Sequence, residues 1–387
     1  MTTDALSDDL TAEQKRAELD AILNAASANK GNRKEALKLY ERALAIARDL
    51  GDRRTEGDVL GALGDAYADL DQPARAIAYY EQALAIARAL DDRHEEGSWL
   101  DHLGNAYHVL GQTKRAIAYF EQALAIVREV DNRDMEGDVL GKLGTAYLTL
   151  GQPARAIGYY EQALGIARAL SDRRGEGTWS GALGNACRDL GQLPQAIEHY
   201  EQALAIAREV GDRRKEGDVL GKLGLAYADL GQPERALEYY EQALAIARAV
   251  GDRRIEGDVL GKLGNVYDAL GQRERAIEYC EQALAIARAL GDRRGEGLWL
   301  GNLGIVYCDL GQPARAIAYY EQALAIAREI GDRRNEGLWL VSLGNAYLVL
   351  GQPERAIVYY EQALAIARGG QPAHRGGHTG QPGDCLR

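Results

Sequence analysis

A segment of 40 residues recurs almost unchanged along this chain, and a chain built that way does not close around a single core. Read from Thr55, the text TEGDVLGALGDAYADLDQPARAIAYYEQALAIARALDDRH returns at 95, 135, 175, 215, 255, 295 and 335, which gives eight copies between residues 51 and 368. Repeats of this period stack along an axis, each burying its apolar face against its neighbours. Length therefore counts repeats, and 387 residues do not call for two or three separate cores.

Each copy holds two apolar-periodic stretches, such as Glu56 to Leu70 and Ala74 to Leu90, parted by a Gly-Gln-Pro-like turn. In the second stretch Ala76, Tyr80, Ala83, Leu84 and Ala87 fall on one face of a helix of 3.6-residue period. Leu60, Leu63, Tyr67 and Leu70 do the same in the first, where Gly64 removes a side chain at a close helix approach. Gly151-Gln152-Pro153 predicts a left-handed stop followed by Pro at a helix entry. In Gly211-Asp212-Arg213-Arg214 the aspartate is the expected N-cap of the next copy. With both turns short, consecutive helices are expected to be antiparallel.

Leu63-Gly64, Tyr67, Ala76, Tyr80 and Ala83, repeated at the same offsets, resemble the signature of the tetratricopeptide repeat over about four fifths of the chain. The resemblance implies an all-α, right-handed superhelical solenoid of antiparallel helix hairpins. Two departures stand out: each copy is longer than the family's usual repeat, and Arg88 and its equivalents replace the Pro that commonly closes the second helix. Leu-Gly-Asn-Ala-Tyr at 103–107 and 343–347, with Gly-Asp-Arg-Arg between hairpins, is similar to Leu-Gly-Asn-type adaptors and bacterial arrays of the family. No segment resembles the Gα-binding motif of the animal adaptors, so that activity is not implied.

The ends differ from the array. Residues 11–50 read as a degenerate ninth copy, with Ala36, Tyr40 and Ala43 in register and a polar partner stretch in place of the Leu-Gly pair, as expected of a capping repeat. Residues 1–10 are expected to be disordered. So is 369–387, where six Gly, two Pro and one large aliphatic residue, Leu386, cannot offset the entropy of ordering. No polar capping helix follows the last hairpin, so that end is expected either to associate, giving a homo-oligomer, or to belong to a longer array.

Composition excludes whole classes of function. No stretch is apolar enough to span a bilayer, and Met1 to Asp20 carries six acids and two bases with no apolar run. The net charge of −12, from 58 acids against 46 bases, opposes nucleic-acid binding, which needs a basic face, and favours basic or neutral partners. Four cysteines without CxxC spacing fit a reducing, cytoplasmic setting. Cys187 and Cys280 stand where other copies carry Tyr, so they read as core replacements.

No constellation with chemistry emerges. Gly137 to Lys142 has three residues between its glycines, lacks the following Ser/Thr and lies within a helix, so it is no phosphate loop. Gly175-Glu-Gly177 has no preceding strand for a dinucleotide. His102 and His108 stand six residues apart, away from one metal-binding face. Lys142, Lys222 and Lys262 read as solvated. A non-enzymatic protein without cofactor or metal is expected.

Function is sought in places that vary while the frame stays fixed. The resemblance implies that first helices line the concave surface, at 58, 61, 65, 68, 69 and their translates. One row then holds Asp58, Asp138, Asp218 and Asp258, a second Asp65, Asn105, Asn185, Asn265 and Asn345, and a third Asp69, Asp189, Asp229 and Asp309. Repeated carboxylates would attract cationic segments, while Asn amides pair with an extended backbone. A solvated face is the plainer reading of the same residues. The basic carboxylate clamp of chaperone-binding family members is not matched, because its cationic places read Gly61, Gly141 and Gly221, and Asp69, Asp189 and Asp229. Trp99, Trp179, Trp299 and Trp339 replace Val; burial between hairpins is favoured, with a ligand-anchoring place at the groove edge as the alternative. The expected function is a protein- or peptide-binding scaffold or adaptor for basic segments. The alternatives are a self-assembling repeat protein or the sensor portion of a larger signalling protein.

Overall fold

The computed structural model describes residues 11–29 and 32–369; of the segments expected to be disordered, 1–10 and 369–387, all but Gly369 lie outside the described residues, and Gly369 is the last residue of a helix rather than the start of a disordered tail. Among the described residues the chain is all α-helix. The helices are α1 (Ala12–Ala28), α2 (Arg33–Asp49), α3 (Arg53–Asp69), α4 (Pro73–Ala89), α5 (Arg93–Val109), α6 (Thr113–Glu129), α7 (Arg133–Thr149), α8 (Pro153–Ala169) and α9 (Arg173–Asp189). They continue as α10 (Leu193–Glu209), α11 (Arg213–Asp229), α12 (Pro233–Val250), α13 (Arg253–Ala269), α14 (Arg273–Leu290), α15 (Arg293–Asp309), α16 (Pro313–Glu329), α17 (Arg333–Val349) and α18 (Pro353–Gly369). Two compact units divide within α10, one ending at His199 and the other beginning at Tyr200. Within the units, α1, α3, α5 and α7, and α11, α13, α15 and α17, each pair with the next helix, and the second helix of each of these hairpins packs on the first helix that follows it. This is a helical solenoid.

Turn chemistry sets the boundaries. Most first helices start at an Asp whose side chain accepts the amide three residues on, as from Thr55 to Asp52 at 3.1 Å and from Lys215 to Asp212 at 3.0 Å. Each such cap contributes about 1 kcal/mol. Pro73, Pro153, Pro233 and Pro313 open second helices at a place where the missing N–H costs little. The turns close through a residue at positive φ, Gly151 at 68° for example, although Asp71, Asp91, Asp131 and Ser171 hold the same conformation without being glycine.

The core follows the helical stripes, with Leu60, Leu63, Tyr80, Ala83 and Ala87 all buried. A Cβ on Gly64 would overlap the Tyr80 ring, so the two helices of a hairpin approach as closely as they do only because that side chain is missing. A second interlock joins successive hairpins: Cβ atoms on Gly61, Gly141, Gly261 and Gly301 would overlap the rings of Trp99, Trp179, Trp299 and Trp339. Three of these tryptophans are buried and Trp179 is half-buried, as expected of the core reading. Gly61, Gly141, Gly261 and Gly301 therefore belong to packing between hairpins rather than to an open groove, whereas a Cβ on Gly221 would meet no atom within 4 Å among the described residues.

An ionic seam runs through the same junctions. Glu56 is buried and accepts from Arg48 Nε at 2.8 Å and Arg53 Nη1 at 2.6 Å, joining the end of α2 to the start of α3. The triplet repeats at Glu96, Glu136, Glu176, Glu216, Glu256, Glu296 and Glu336. It explains why Arg88 stands at the close of the second helix: its guanidinium grips Glu96. Burial alone would raise the Glu296 and Glu336 carboxyls, but hydrogen bonds from their arginines outweigh it and hold both below the usual carboxylate range.

Candidate functional site

First helices carry the candidate residues, and in the unit ending at His199 three of them meet in one cleft. Its volume is about 670 Å³, and it is lined by residues of α1 to α5, among them Arg33, Asp65, Asp69, Tyr80, His102, Asn105 and Val109. Small residues, Ala26, Ala36, Ala62, Ala66 and Ala106, keep the floor open.

The cleft's polar groups are positioned by the hairpin packing itself. Tyr80, buried beneath Gly64, donates to Asp65 Oδ1 at 2.7 Å, and burial together with this bond raises the phenol well above its ordinary range. His102 Nδ1 lies 2.7 Å from the Ser98 carbonyl, which requires a proton on that nitrogen, and Nε2 lies 3.5 Å from Asp65 Oδ1. The imidazole rests against Tyr80 and Trp99, at centroid distances of 5.2 and 5.4 Å. Across the cleft Arg33 pairs with Asp69 at 2.7 Å. Asn105 stands apart, because Phe120 occupies the place of Tyr80 in its hairpin and offers no hydroxyl.

That comparison explains the second row of candidates. In two further hairpins the residue at the place of Asp65 meets the Tyr hydroxyl at the place of Tyr80, since Tyr160 reaches Thr145 at 3.1 Å and Tyr360 donates to Asn345 at 2.6 Å, whereas Leu225 and Ile305 offer Tyr240 and Tyr320 no such group. Where Cys280 replaces the Tyr, Asn265 accepts instead from Asn302 at 2.8 Å. Asn185 is half-buried in α9.

The first row is exposed. Burial and the charge of Glu95 raise the Asp58 carboxyl against the opposing Arg54. Burial raises Asp138, Lys142 opposes it, and Asp134, Asp101 and Asp172 push it further up. Carboxylates are thus close enough here to feel one another. Asp218 and Asp258 are held by Lys222 at 2.8 Å and Lys262 at 2.7 Å. Lys142 reaches past Asp138 to the buried Asp101 at 2.6 Å. The lysines expected to be solvated are therefore partnered, since each stands one turn after an acid or beside the preceding hairpin. In the third row Asp189 lies 3.6 Å from Arg188, Asp229 is exposed, and Asp309 is exposed beside Asp268, whose carboxyl is raised by burial and then by Asp309.

No group of His, Cys, Asp or Glu among the described residues could hold a metal ion. Cys187 and Cys280 are buried free thiols, and burial pushes Cys280 up to about 12. No described helix is long and apolar enough to cross a membrane.

Sequence reasoning missed Arg33, Tyr80 and His102 as parts of the cleft. Tyr80 belongs to the recurring core stripe, Arg33 lies outside the clear copies, and His102 stands where other copies carry Ala, Lys, Asn or Ser. The seam was legible in principle, since Glu56 and Arg48 recur in every copy although charged residues rarely recur without a partner.

No curated protein matches the sequence. Solved structures share the fold at low identity. A signal-transduction ATPase with numerous domains from Pyrococcus horikoshii, which has a tetratricopeptide repeat sensor, aligns at TM-score 0.67 and 18% identity over 95% of this chain and 54% of its own. The apo quorum sensor NprR from B. thuringiensis aligns at 0.66 and 17%, over 92% and 99%. A Rap protein complexed with Competence and Sporulation Factor aligns at 0.56 and 16%, over 93% and 99%. The tetratricopeptide repeat model matches at 20–89, 95–169, 176–249, 217–289, 255–329 and 295–369, and a second model of the same description matches at 141–210. The chain belongs to the tetratricopeptide repeat family.

Proposed function

We propose that this protein is a non-enzymatic scaffold or adaptor that holds an extended peptide segment with basic residues along its first helices. The α1–α5 cleft carries the reading: Asp65 offers a carboxylate, Asn105 an amide with no tyrosine hydroxyl to satisfy, and the alanine floor gives a main chain room to lie between them. Asp58 and Asp138 add exposed carboxylates on neighbouring first helices. Residues 11–50 serve as the end repeat that closes the stack, and the setting is cytoplasmic.

The test is selection from a random peptide library on the intact chain and on Asp65→Asn. Asn345 already accepts from Tyr360, so the variant keeps the hydrogen bond and loses only the charge. Enrichment of Lys- and Arg-containing peptides by the parent, reduced in the variant, is the expected outcome. Identical selections would refute the charge-based reading.

A second reading rests on α18, where Ile357 and Leu364 are exposed although Ile77 and Leu84 are buried. That face would associate with a second copy or with further repeats. Mass in light scattering that rises with concentration, and is lost in Ile357→Glu, would favour self-association.

A further inference from the structure

Four junctions between successive hairpins hold an indole in the same seat. The six-membered edge of Trp99, Trp179, Trp299 and Trp339, atoms Cζ2, Cζ3 and Cη2, lies over the glycine one hairpin earlier, at Gly61, Gly141, Gly261 and Gly301. In three of them the indole also stacks on the tyrosine of that earlier hairpin: Trp99 on Tyr80 at 6.2 Å, Trp179 on Tyr160 at 6.3 Å and Trp339 on Tyr320 at 6.1 Å. At Trp299 the tyrosine's place is taken by Cys280. The seat is a glycine floor with a tyrosine wall, and an indole fits it.

The junction of α11 with α13 has the floor and the wall without the ring. Gly221 is buried at the place of Gly61, and Tyr240 is 1% exposed at the place of Tyr80. Tyr240 is set as Tyr80 is, because a Cβ on Gly224 would overlap its ring as one on Gly64 would overlap Tyr80. The residue in register with the tryptophans is Val259, and a Cβ on Gly221 would meet no atom within 4 Å among the described residues. Helix α11 still packs on α13 as α13 packs on α15, so the helices have not closed in to offset the smaller side chain.

The junction of α5 with α7 shows a different answer to the same replacement. Val139 stands in the tryptophan's place there, but the glycine's place holds the buried Asp101, bonded by Lys142 Nζ at 2.6 Å, and this ion pair takes up the room. Lys262, the counterpart of Lys142, turns instead to Asp258 on its own helix at 2.7 Å, and Lys222 turns to Asp218 at 2.8 Å. Each charge flanking Gly221 and Val259 has its opposite one turn away, so the space they leave is apolar and has no net charge beside it. Spaces of this kind take up small aromatic molecules.

We propose that the α11–α13 junction is a binding site for a small neutral aromatic molecule of the indole class, its ring lying on Gly221 with Tyr240 against its face and Val259 behind it. The ligand does for this junction what the chain's own tryptophans do for four others, and by binding the folded stack it stabilises α11 and α13. The site is independent of the α1–α5 cleft, since it takes neither a main chain nor a charge.

The test uses the full chain with labelled Val methyl groups and 5-fluoroindole as probe, read by NMR through the Val259 methyls and the fluorine line. In the parent the aromatic ring current moves the Val259 methyls upfield, the fluorine line shifts, and the thermal midpoint rises with probe concentration. Val259→Trp supplies the ring from within the chain, as four other hairpins do, so the probe no longer shifts its line or the midpoint, and the midpoint without probe is higher than the parent's. Trp339→Val opens the same seat between Gly301 and Tyr320, and more probe is bound at equal protein concentration. Indole-3-acetate and tryptamine displace the probe less well than indole. Val259 methyls that do not move, a fluorine shift that survives Val259→Trp, or a midpoint lowered by Val259→Trp would each overturn the proposal, and stronger displacement by either charged analogue would overturn the preference for a neutral ring. The parent and Val259→Trp decide the question even if Trp339→Val, which loses a core side chain, fails to fold.

Discussion

Helices α9 and α11 are copies of the same first helix, yet they are built to different standards. In α11 Asp212 caps Lys215, Leu220 is fully buried, and Tyr227 stacks on Tyr239 at 5.2 Å with Arg235 above it at 5.4 Å. In α9 Asp172 makes no side-chain cap, Ser180 stands in the place of the leucine with its buried hydroxyl unpartnered, and the stacked trio is replaced by Cys187, His199 and Gln195. Glu176 is also wetter than Glu216, at 14% against 7% side-chain exposure. A closed core would spread such losses through the molecule, whereas in a stack each helix answers mainly to its neighbours, so α9 can be weak while the frame persists.

The largest expected effect comes from exchanging the two standards. Leu220→Ser should cost about 4 kcal/mol, the sum of a cavity and an unpaired hydroxyl, while Ser180→Leu should gain about 2 kcal/mol from the apolar atoms restored. Hydrogen exchange of α11 and α9 reads both locally. Loss in both exchanges would show that the α9 backbone has already closed around the serine.

Next is the seam. Removing both arginines around Glu216, by Arg208→Met with Arg213→Met, leaves a buried carboxylate without a cation and should cost about 3 kcal/mol or more. The same change around Glu176, with Arg168 and Arg173, should cost clearly less because water already reaches that carboxylate. Chemical denaturation followed by exchange in α11 and α9 checks the difference.

Acid should separate the regions by pH. Burial lowers the His199 pKa below its ordinary 6.5, so the stability gained by keeping it neutral is full above that value and fades as pH falls through the lower folded value. The seam carboxyls Glu296 and Glu336, also lowered, lose their contribution only as pH falls below the ordinary carboxylate range, about 4.5. Exchange near α9 should therefore accelerate before exchange near α15 and α17, and His199→Tyr should remove the early phase.

The smallest effect lies in the turns. Ser171 precedes α9 at φ 58° and Gly211 precedes α11 at φ 69°. Ser171→Gly should gain, and Gly211→Ser should cost, up to about 1 kcal/mol, visible as opposite shifts in thermal midpoint.

The frame was legible because periodicity, turn glycines and N-cap aspartates each act within a few residues. Gly64 could be read as a close approach for the same reason. The cleft was less legible, since Asp65 and Asn105 look alike in sequence and separate only when the partner beneath them is known to be Tyr80 in one hairpin and Phe120 in the other. Asp218 and Asp258 look like open acids until their lysines are placed. The Trp–Gly interlock pairs each ring with a glycine one hairpin earlier, a relation no single copy contains.

The most direct test of the central claim is a binding titration of short Lys-rich and Glu-rich peptides of equal length against the intact chain and Asp65→Asn. The account predicts that the Lys-rich peptide binds, that its affinity falls in Asp65→Asn and with added salt, and that it protects α3 and α5 from hydrogen exchange. Equal affinity for the two peptides, or protection confined to helices outside the α1–α5 cleft, would contradict it.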